Sequence, residues 1–363
     1  MPKKGTISSV QMAAMLYFAI MATAILGPPA LMYTFAQQDM WISPIWASFI
    51  GAFTLLLVFR LSREYPGQTY VQICITVCGP VLGRVIAGVY VLFYLHVNSI
   101  ILREFVELVV SKFLYNTPEM VIVAGMMLLC AFAVRGGIEV LGRISQIVLP
   151  VILSLLFLLL FFVIPEMNLT FMLPVFEDGL LPSLKGAIPP ATWFSEFFLL
   201  TFLLPFVRDG KAGKWSAISL GAVMLSMVIV NIFVISLFGP VSGSFGYPVM
   251  TFIEYISISN FLEHLEAFVM MIWVVGAFVK ISVFFYGVVL GTAQTFKLKD
   301  YRPIVLPLAG LHIVFNYWSI KNASMLVYYL QKLDPFYLVT FQTLLPLVML
   351  IVVKARKNWR KQG

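Results

Sequence analysis

Apolar runs long enough to cross a lipid bilayer follow one another along nearly the whole chain. Hydrophobic residues make up 61% of the 363 residues and charged residues only 11%, whereas soluble domains average about 45–50% and about 25%. This composition excludes an ordinary soluble enzyme, a disordered protein and, despite the net charge of +8, a nucleic-acid-binding protein. No stretch is long and polar enough for a separate soluble domain, so we predict one transmembrane domain covering residues 1–363.

The spacing of these runs predicts an all-α integral membrane protein with ten transmembrane helices. A helix needs about 20 residues to cross the hydrocarbon core, and the loops between the runs are short. The predicted helices, called spans 1 to 10 below, cover residues 10–36, 41–61, 82–111, 118–134, 143–164, 187–207, 214–238, 265–294, 303–320 and 335–354.

The distribution of Lys and Arg predicts that both termini face the cytoplasm. If the N-terminus is inside, eighteen of the 24 basic residues fall on inner loops and ends, four on outer loops, and two, Arg103 and Lys280, within spans. Cytoplasmic loops of membrane proteins carry such an excess of Lys and Arg. The basic tail, residues 355–363, is then a cytoplasmic segment that binds anionic lipid, with docking of a protein partner as the alternative.

Two loops between spans are expected to contain helices of their own. Inner loop 62–81 has a mildly amphipathic stretch between Gly and Pro residues, which predicts a short helix at the membrane interface. Outer loop 239–264 has an apolar face and no Lys or Arg, which fits a short helix capping an outer vestibule. The residues behind this second prediction are Phe252, Ile253, Glu254, Ile256, Ile258, Glu263 and His264.

Spans 1 and 6 carry helix-breaking residues at membrane depth. In span 1, Ala22–Ala24 lie mid-span and Gly27–Pro29 follow, while span 6 opens with Gly186, Pro189 and Pro190. Proline removes a backbone donor and frees a carbonyl one turn upstream, and backbone groups in lipid must find partners within the protein. The prolines therefore predict unwound segments in both spans, the alternative being that they only kink the helices.

The two interrupted spans occupy corresponding places in two five-helix halves, residues about 10–164 and about 187–354. Because five is odd, the second half must be inverted relative to the first, as in transporters built from inverted repeats. In such folds the binding site lies where the two breaks meet. Half-helix N-termini favour a carboxylate and half-helix C-termini an ammonium group, so the pattern suits a zwitterionic amino acid.

A few ionisable residues are predicted within the spans, where charges are costly and mark function. Glu196 in span 6 and Lys280 in span 8 are expected near mid-depth, as a static buried ion pair, a replacement for a coupling sodium ion, or a proton relay. Arg103 and Glu107 are four residues apart in the outer third of span 3 and are expected to pair along the helix, with guarding of an outer access path as the alternative. His96 is expected to be a hydrogen-bonded packing residue rather than a relay.

No motif indicates an enzyme, a metal site or a cofactor. The sequence contains no G-x-S-x-G, H-E-x-x-H or Walker loop. Its three cysteines, Cys74, Cys78 and Cys130, have no further metal ligands nearby in sequence and are expected to be free thiols. We therefore expect a protein that is not an enzyme and that holds no metal or cofactor.

Several short motifs, taken together and in order along the spans, carry a family resemblance. They are Trp41-Ile42, Arg103-Glu104-Phe105, Thr117-Pro118, Arg135-Gly136-Gly137-Ile138-Glu139, Leu173-Pro174-Val175, Ser195-Glu196, Leu204-Pro205-Phe206 and the stretch from Phe261 to Ser282. With them the chain resembles the B subunits of bacterial spore germinant receptors. These are permease-like proteins of the amino acid–polyamine–organocation transporter superfamily.

The resemblance implies a five-plus-five inverted repeat with unwound helices 1 and 6, located in the spore inner membrane. It also implies assembly with an A-type subunit and a C-type lipoprotein subunit, and binding of a small nutrient, an amino acid or in some relatives a sugar, that triggers germination. The family's pocket positions correspond here to Ala22, Thr23, Ala24, Trp193, Phe194, Ser195, Val279 and Lys280, with Gly27 in the break beside them.

One departure from the family pattern affects the expected ligand. Relatives commonly carry Gly-x-Gly where this chain has Ala22-Thr23-Ala24, and two added methyl groups narrow a pocket that needs close approach of the backbone. We therefore expect a ligand other than plain alanine. Two further functions stay open: a proton-coupled amino-acid permease, in which Glu196, Lys280 or His96 carries the proton, and a permease-like scaffold with a vestigial pocket.

Overall fold

The computed structural model describes residues 5–255 and 265–362, and the regular elements in these ranges are helical. The α-helices are α1 (Ser9–Ala24), α2 (Pro28–Ala36), α3 (Ser43–Glu64), α4 (Tyr70–Cys78), α5 (Leu82–Lys112), α6 (Glu119–Gly136), α7 (Ile138–Val163), α8 (Leu181–Gly186), α9 (Ile188–Ser195), α10 (Leu200–Leu203), α11 (Ala212–Phe238), α12 (Pro248–Tyr255), α13 (Leu265–Thr295), α14 (Val305–Ser319), α15 (Ala323–Tyr328), α16 (Asp334–Val339) and α17 (Leu345–Gln362).

Short 3-10 turns, which are wound more tightly than an α-helix, and π-helical turns, which are wound more loosely, connect some of these helices. The 3-10 turns are Gln37–Trp41, Ile164–Glu166, Leu169–Met172, Glu196–Leu199, Leu204–Phe206, Gly239–Ser244 and Arg302–Ile304. The π-helical turns are Tyr329–Leu333 and Thr340–Leu344.

The helices of the described ranges correspond to the predicted spans. Eight are long and apolar enough to cross a membrane, and the bent pair of α1 with α2 brings the number to nine. Span 9 is present as α14, whose 15 residues are short of the usual crossing length. The count of ten and the cytoplasmic placement of the termini stay predictions, and Lys3 and Lys4, which entered the orientation argument, lie outside the described residues.

The predicted start of span 10 at residue 335 is wrong. Helical structure begins at Ala323 and continues through the two π-helical turns to Gln362. Pro335 lies in the first turn of α16, directly after the π-helical turn Tyr329–Leu333, and does not mark the start of the span. As a result Asp334, which the prediction leaves in a loop, lies inside a long helical stretch.

The central helices bring the predicted breaks of spans 1 and 6 together in the interior of the bundle. Helix α1 is buried along almost its whole length and packs against α7, α11 and α13. Helix α9 lies between α3 and α16, and α13 also packs against α5 and α6. Residues near the end of α1, the end of α9 and the middle of α13 therefore meet in the interior of the bundle.

The outward faces carry large apolar side chains, as a lipid-facing surface requires. Examples on five different helices are Phe49, Leu92, Phe132, Phe161 and Leu225, each between about half and two thirds exposed. A soluble protein of this size would rarely leave so many large apolar side chains in contact with water. The chain is a multi-pass membrane protein.

The two loop helices are present in the described ranges. Helix α4 in loop 62–81 begins with a capping box, in which Thr69 and Gln72 exchange side-chain-to-backbone hydrogen bonds. Helix α12 lies in loop 239–264. The other residues behind the vestibule prediction, Ile256, Ile258, Glu263 and His264, lie outside the described residues.

The N-terminal segment joins the ends of several spans on one side of the bundle. Ile7 pairs with Val207 in an isolated bridge, and the Thr6 N–H donates to a Glu139 carboxylate oxygen at 2.8 Å. The hydroxyl and N–H of Ser9 both donate to Asp209. These hydrogen bonds lower the pKa of the Asp209 carboxyl, so their contribution to stability is lost as the pH falls through that lowered pKa.

Gly83 makes a testable contribution to the packing of α4 on α5. A Cβ at this position would lie 2.5 Å from the Cys74 carbonyl oxygen and 2.6 Å from the Ile75 Cα, so the backbones must separate. We expect Gly83→Ala to destabilise the protein by about 1–3 kcal/mol, the usual cost of overpacking. Thermal unfolding of the purified protein in lipid nanodiscs measures this.

Gly88 on the same helix is the matched control, because a Cβ there meets nothing within 4 Å. Gly88→Ala is expected to be neutral or slightly stabilising, since Ala favours a helix interior over Gly. Equal unfolding temperatures for the two variants would contradict the close contact between α4 and α5.

Candidate functional site

The break predicted in span 1 is present between α1 and α2. Helix α1 ends at Ala24, α2 begins at Pro28, and the two helices are bent by 65° relative to each other. Pro28 and Pro29 fill the first turn of α2, where Pro is well tolerated, so neither contributes an N–H to the break. The C-terminal end of α1 therefore presents carbonyl groups and a partial negative charge to whatever lies beside it.

The irregularity in span 6 lies at Glu196. Pro189 and Pro190 start helix α9 and do not interrupt it. The chain then tightens into a 3-10 turn over Glu196–Leu199 before α10 begins. A 3-10 stretch inside a longer helix often marks a functional hinge, and here it orients Glu196 toward α13.

Thr23, Trp193, Glu196 and Lys280 meet at this junction. The Lys280 Nζ donates to both Glu196 carboxylate oxygens, at 2.9 and 3.2 Å, and to the Thr23 hydroxyl oxygen at 2.9 Å. The same hydroxyl oxygen accepts from the Trp193 indole N–H at 2.8 Å. All four side chains are buried. This group, called the Thr23–Lys280–Glu196 link below, ties α1, span 6 and α13 together.

The link satisfies a charge that is expensive to bury. An ammonium group has three N–H donors, and the Lys280 ammonium has three acceptor oxygens around it. Its Nζ also lies 5.6 Å from the centroid of the Phe284 ring, a distance that allows a cation–π contribution. Lys280 is thus fully coordinated by the protein itself.

Two cavities that share lining residues, called the connected cavities below, adjoin the link. The smaller, of about 10 Å³, is lined by Thr23, Trp193, Glu196, Glu104 and Asp334 together with apolar side chains. That volume is about what one water molecule requires. Its lining is more polar than that of the second cavity.

The larger cavity, of about 350 Å³, shares Thr23, Glu104 and Leu330 with the smaller one. Its wall includes Gly27, four residues of α2 (Pro28, Ala30, Leu31 and Thr34), and the segment 243–247 between spans 7 and 8. This outer cavity is mainly apolar and falls within the size range of small-molecule pockets. A third cavity of about 450 Å³, lined by Glu139, Phe206, Tyr301 and others, lies at the end of the bundle where the N-terminal segment packs.

The remaining predicted pocket residues are distributed around the junction. Ala22 lines a small separate cavity of about 30 Å³ with Trp273 and Gly276, and Ala24 is packed in the core. The Ser195 hydroxyl donates to the Gln342 side-chain oxygen at 3.0 Å. Phe194 packs against Gly51, and Val279 is buried next to Lys280. Thr23, Gly27 and Trp193 are the predicted ligand-binding residues that reach the connected cavities.

The predicted residues of span 3 lie apart from the link. Arg103 pairs with Glu107, as expected, and also with Glu119 at 2.7 Å. His96 packs edge-on against the rings of Tyr329 and Tyr337. The described residues include no group of three or more His, Cys, Asp or Glu side chains arranged to hold a metal ion.

Glu104 and Asp334 belong to the site but are absent from the sequence-based set of site residues. Glu104 is treated there only as a neighbour of Arg103, although it lies on the same helix face as Val97, Ile100 and Ile101, all of which line the smaller cavity. The usable signal was a carboxylate on the apolar face of a span. Asp334 was missed because the predicted boundary of span 10 leaves it in a loop.

The chain is similar in sequence to bacterial spore germination proteins. The family described as "Spore germination protein" matches residues 6–325. Spore germination protein KB of Bacillus subtilis (strain 168) is 27% identical, covering 99% of this chain and 98% of its own. Spore germination protein YndE of the same organism is 22% identical over 98% of both chains, and spore germination protein XB of Bacillus anthracis is 24% identical over 79% and 81%.

The fold is that of a known transporter. The structure of Mhp1, a nucleobase–cation-symport-1 family transporter, in a closed conformation with bromovinylhydantoin bound, matches with a TM-score of 0.64. The match covers 96% of this chain and 78% of that one, at 14% sequence identity. This likeness establishes the architecture, a LeuT-type transporter fold, and leaves the function to be argued from the site.

The link makes a prediction about coupled stability. Glu196→Leu or Lys280→Met alone leaves one buried charge without its partner, which costs about 3–5 kcal/mol. The double variant removes both charges and is expected to lose much less than the sum of the two single losses. Thermal unfolding of the four proteins in nanodiscs gives the coupling energy directly.

Lys357→Met serves as the control, because the Lys357–Glu64 pair is largely exposed and such pairs contribute little. Additive losses in the double variant Glu196→Leu/Lys280→Met would show that the two side chains do not act as a pair.

Proposed function

Because this chain belongs to the spore germination protein family, we propose that it is the membrane subunit of a spore nutrient receptor that binds a small nutrient beside the break in helix 1. The observation that carries this proposal is the outer cavity of about 350 Å³, which is lined in part by Thr23 of the Thr23–Lys280–Glu196 link. The proposed ligand is an amino acid, with a sugar or another small solute as the other nutrient classes. The proposed location is the spore inner membrane.

Binding of a ligand beside the α1–α2 break can be coupled to a conformational change. Thr23 lies one residue before the end of α1, and both connected cavities touch it. A ligand that binds one arrangement of the α1–α2 break more tightly than another shifts the population toward that arrangement. The shift passes through the link to span 6 and α13.

The proposed partners are an A-type subunit and a C-type lipoprotein subunit. In this account the chain binds the nutrient without chemical change and without turnover, and the bound state opens an assembly formed with the A-type subunit. The fully coordinated Lys280 supports a sensing role, because an ammonium held by three acceptors is a structural connection rather than a mobile charge.

The test uses spores that lack this gene, exposed to a panel of amino acids and sugars. Loss of the response to one nutrient, restored by the gene, is the expected result. Unchanged germination with every nutrient would contradict the receptor role. Copurification with A-type and C-type subunits from spore membranes tests the proposed assembly.

Filling the outer cavity is expected to remove the response without removing the protein. Gly246 lines this cavity, and a Cβ there meets nothing within 4 Å, so Gly246→Phe extends a ring into the open space. We expect spores with this variant to need at least about tenfold more nutrient for a half-maximal response, equivalent to about 1.4 kcal/mol of binding free energy. Immunoblotting of spore membranes measures protein level.

Gly310→Phe on α14 is the matched control, since a Cβ at Gly310 also meets nothing within 4 Å. It is expected to leave the dose-response unchanged. An unaltered response with Gly246→Phe at normal protein level would place the pocket elsewhere.

A proton-coupled amino-acid permease is the second candidate. The observation that favours it is the pair of large cavities, about 350 and about 450 Å³, which have no lining residue in common. Alternating access uses such cavities in turn around a fixed site. Uptake of labelled amino acids into proteoliposomes, driven by a proton gradient, would support the permease and count against a sensor without turnover.

A further inference from the structure

The smaller cavity contains more negative groups than positive ones. Three carboxylates, Glu104, Glu196 and Asp334, line it, and the one ammonium beside them is that of Lys280. Each carboxylate interacts electrostatically with Lys280, and Asp334 interacts with all three other charged groups. A buried site with three carboxylates and one ammonium lacks positive charge.

Lys280 neutralises only one of the three carboxylates by direct contact. Its three donors are directed to Glu196 and Thr23. Among the ion pairs of residues 5–255 and 265–362, none includes Glu104 or Asp334. Arg103, the next residue to Glu104, is turned away and paired with Glu107 and Glu119.

Asp334 is buried and has no cation in direct contact. Its residue exposure is 6%, it lines the smaller cavity, and no ion pair among the described residues includes it. The hydroxyl of Tyr329, one π-helical turn before it, interacts with its carboxylate as a hydrogen-bond donor. A buried carboxylate with so few donors is costly unless a proton or a cation neutralises it.

The backbone at the junction adds to the negative character of the cavity. The end of α1 contributes its carbonyl groups, and the start of α2 has two prolines in place of N–H donors. A carboxylate from a ligand would therefore find no unoccupied cation among the described residues that line the smaller cavity. A ligand that enters this end must bring positive charge and hydrogen-bond donors.

The size of the cavity selects the kind of cation. About 10 Å³ accommodates a group the size of a water molecule, and a primary ammonium group is of that size. An alkyl chain attached to the ammonium group would extend past Thr23 and Leu330 into the mainly apolar outer cavity.

We propose that the smaller cavity binds the primary ammonium group of the ligand between Glu104 and Asp334, while the rest of the ligand occupies the outer cavity. This inference rests on the proposed function, because it assigns the orientation and chemical class of the nutrient at that same site. The nutrient is therefore one with a free primary amine. A neutral sugar, an N-acylated amine and a quaternary amine are excluded as ligands of the smaller cavity.

The test measures thermal unfolding of the purified full-length chain in nanodiscs with three probes that share a butyl chain. They are n-butylammonium chloride, butyltrimethylammonium chloride and sodium butyrate, compared with potassium chloride at equal ionic strength. The expected result is a saturable rise in unfolding temperature with n-butylammonium alone. Equal rises with the quaternary probe or with potassium chloride would overturn the proposal, as would no saturable rise with n-butylammonium.

Isosteric variants identify the carboxylates. The double variant Glu104→Gln/Asp334→Asn is expected to raise the half-saturating concentration of n-butylammonium at least about tenfold, because it removes two charge-assisted hydrogen bonds. Glu119→Gln, the same change at a half-exposed carboxylate outside the cavity, is expected to leave it within about twofold. If the double variant does not accumulate, each single variant is measured, and unchanged saturation in both would overturn the proposal.

The outcome is independent of the spore experiments. Selective binding of n-butylammonium together with normal germination of spores lacking the gene would leave the ammonium site standing and reject the receptor role. Loss of a nutrient response in those spores, without any ammonium binding by the purified chain, would support the receptor and reject this site.

Discussion

The buried contact of Lys280 with Glu196 and Thr23 is the interaction on which the rest of the site depends. Thr23 stands at the end of the broken helix, Glu196 at the start of a 3-10 turn in span 6, and Lys280 in the middle of α13. Thr23 and Glu196 lie where a helix is interrupted, and Glu196 and Lys280 are buried charged residues. The hydrogen bonds among the three offset the free-energy cost of burying these polar groups. Without the link, the break would leave polar groups inside the bundle without partners.

The link also determines what the cavities beside it can bind. Because Lys280 is occupied by the protein, it is not available to a ligand carboxylate, and Glu104 and Asp334 face the small cavity without a cation in direct contact. In the proposed site, a zwitterionic amino acid would bind with its ammonium group leading and its carboxylate toward the outer cavity. The pairing of Lys280 within the protein thus determines which charged groups face the pocket.

Much of the fold followed from the sequence, because apolar runs and prolines act locally. The break at Gly27–Pro29, the capped helix α4 and the pairing of Arg103 with Glu107 were all predicted. The site was predicted less completely, since it depends on which faces of distant helices meet. Asp334 was missed because the predicted span 10 begins one residue after it. The sequence left three roles open for Glu196 and Lys280, because it does not show that both side chains meet Thr23.

A cryo-EM structure of the full chain in lipid, determined with and without the nutrient that its gene enables spores to detect, tests the central claim most directly. The account predicts that the Lys280 ammonium contacts Glu196 and Thr23 in the ligand-free protein. It also predicts that nutrient density fills the outer cavity with its amine between Glu104 and Asp334. A Lys280 side chain apart from Glu196 in the ligand-free protein, or nutrient density away from the helix 1 break, would contradict it.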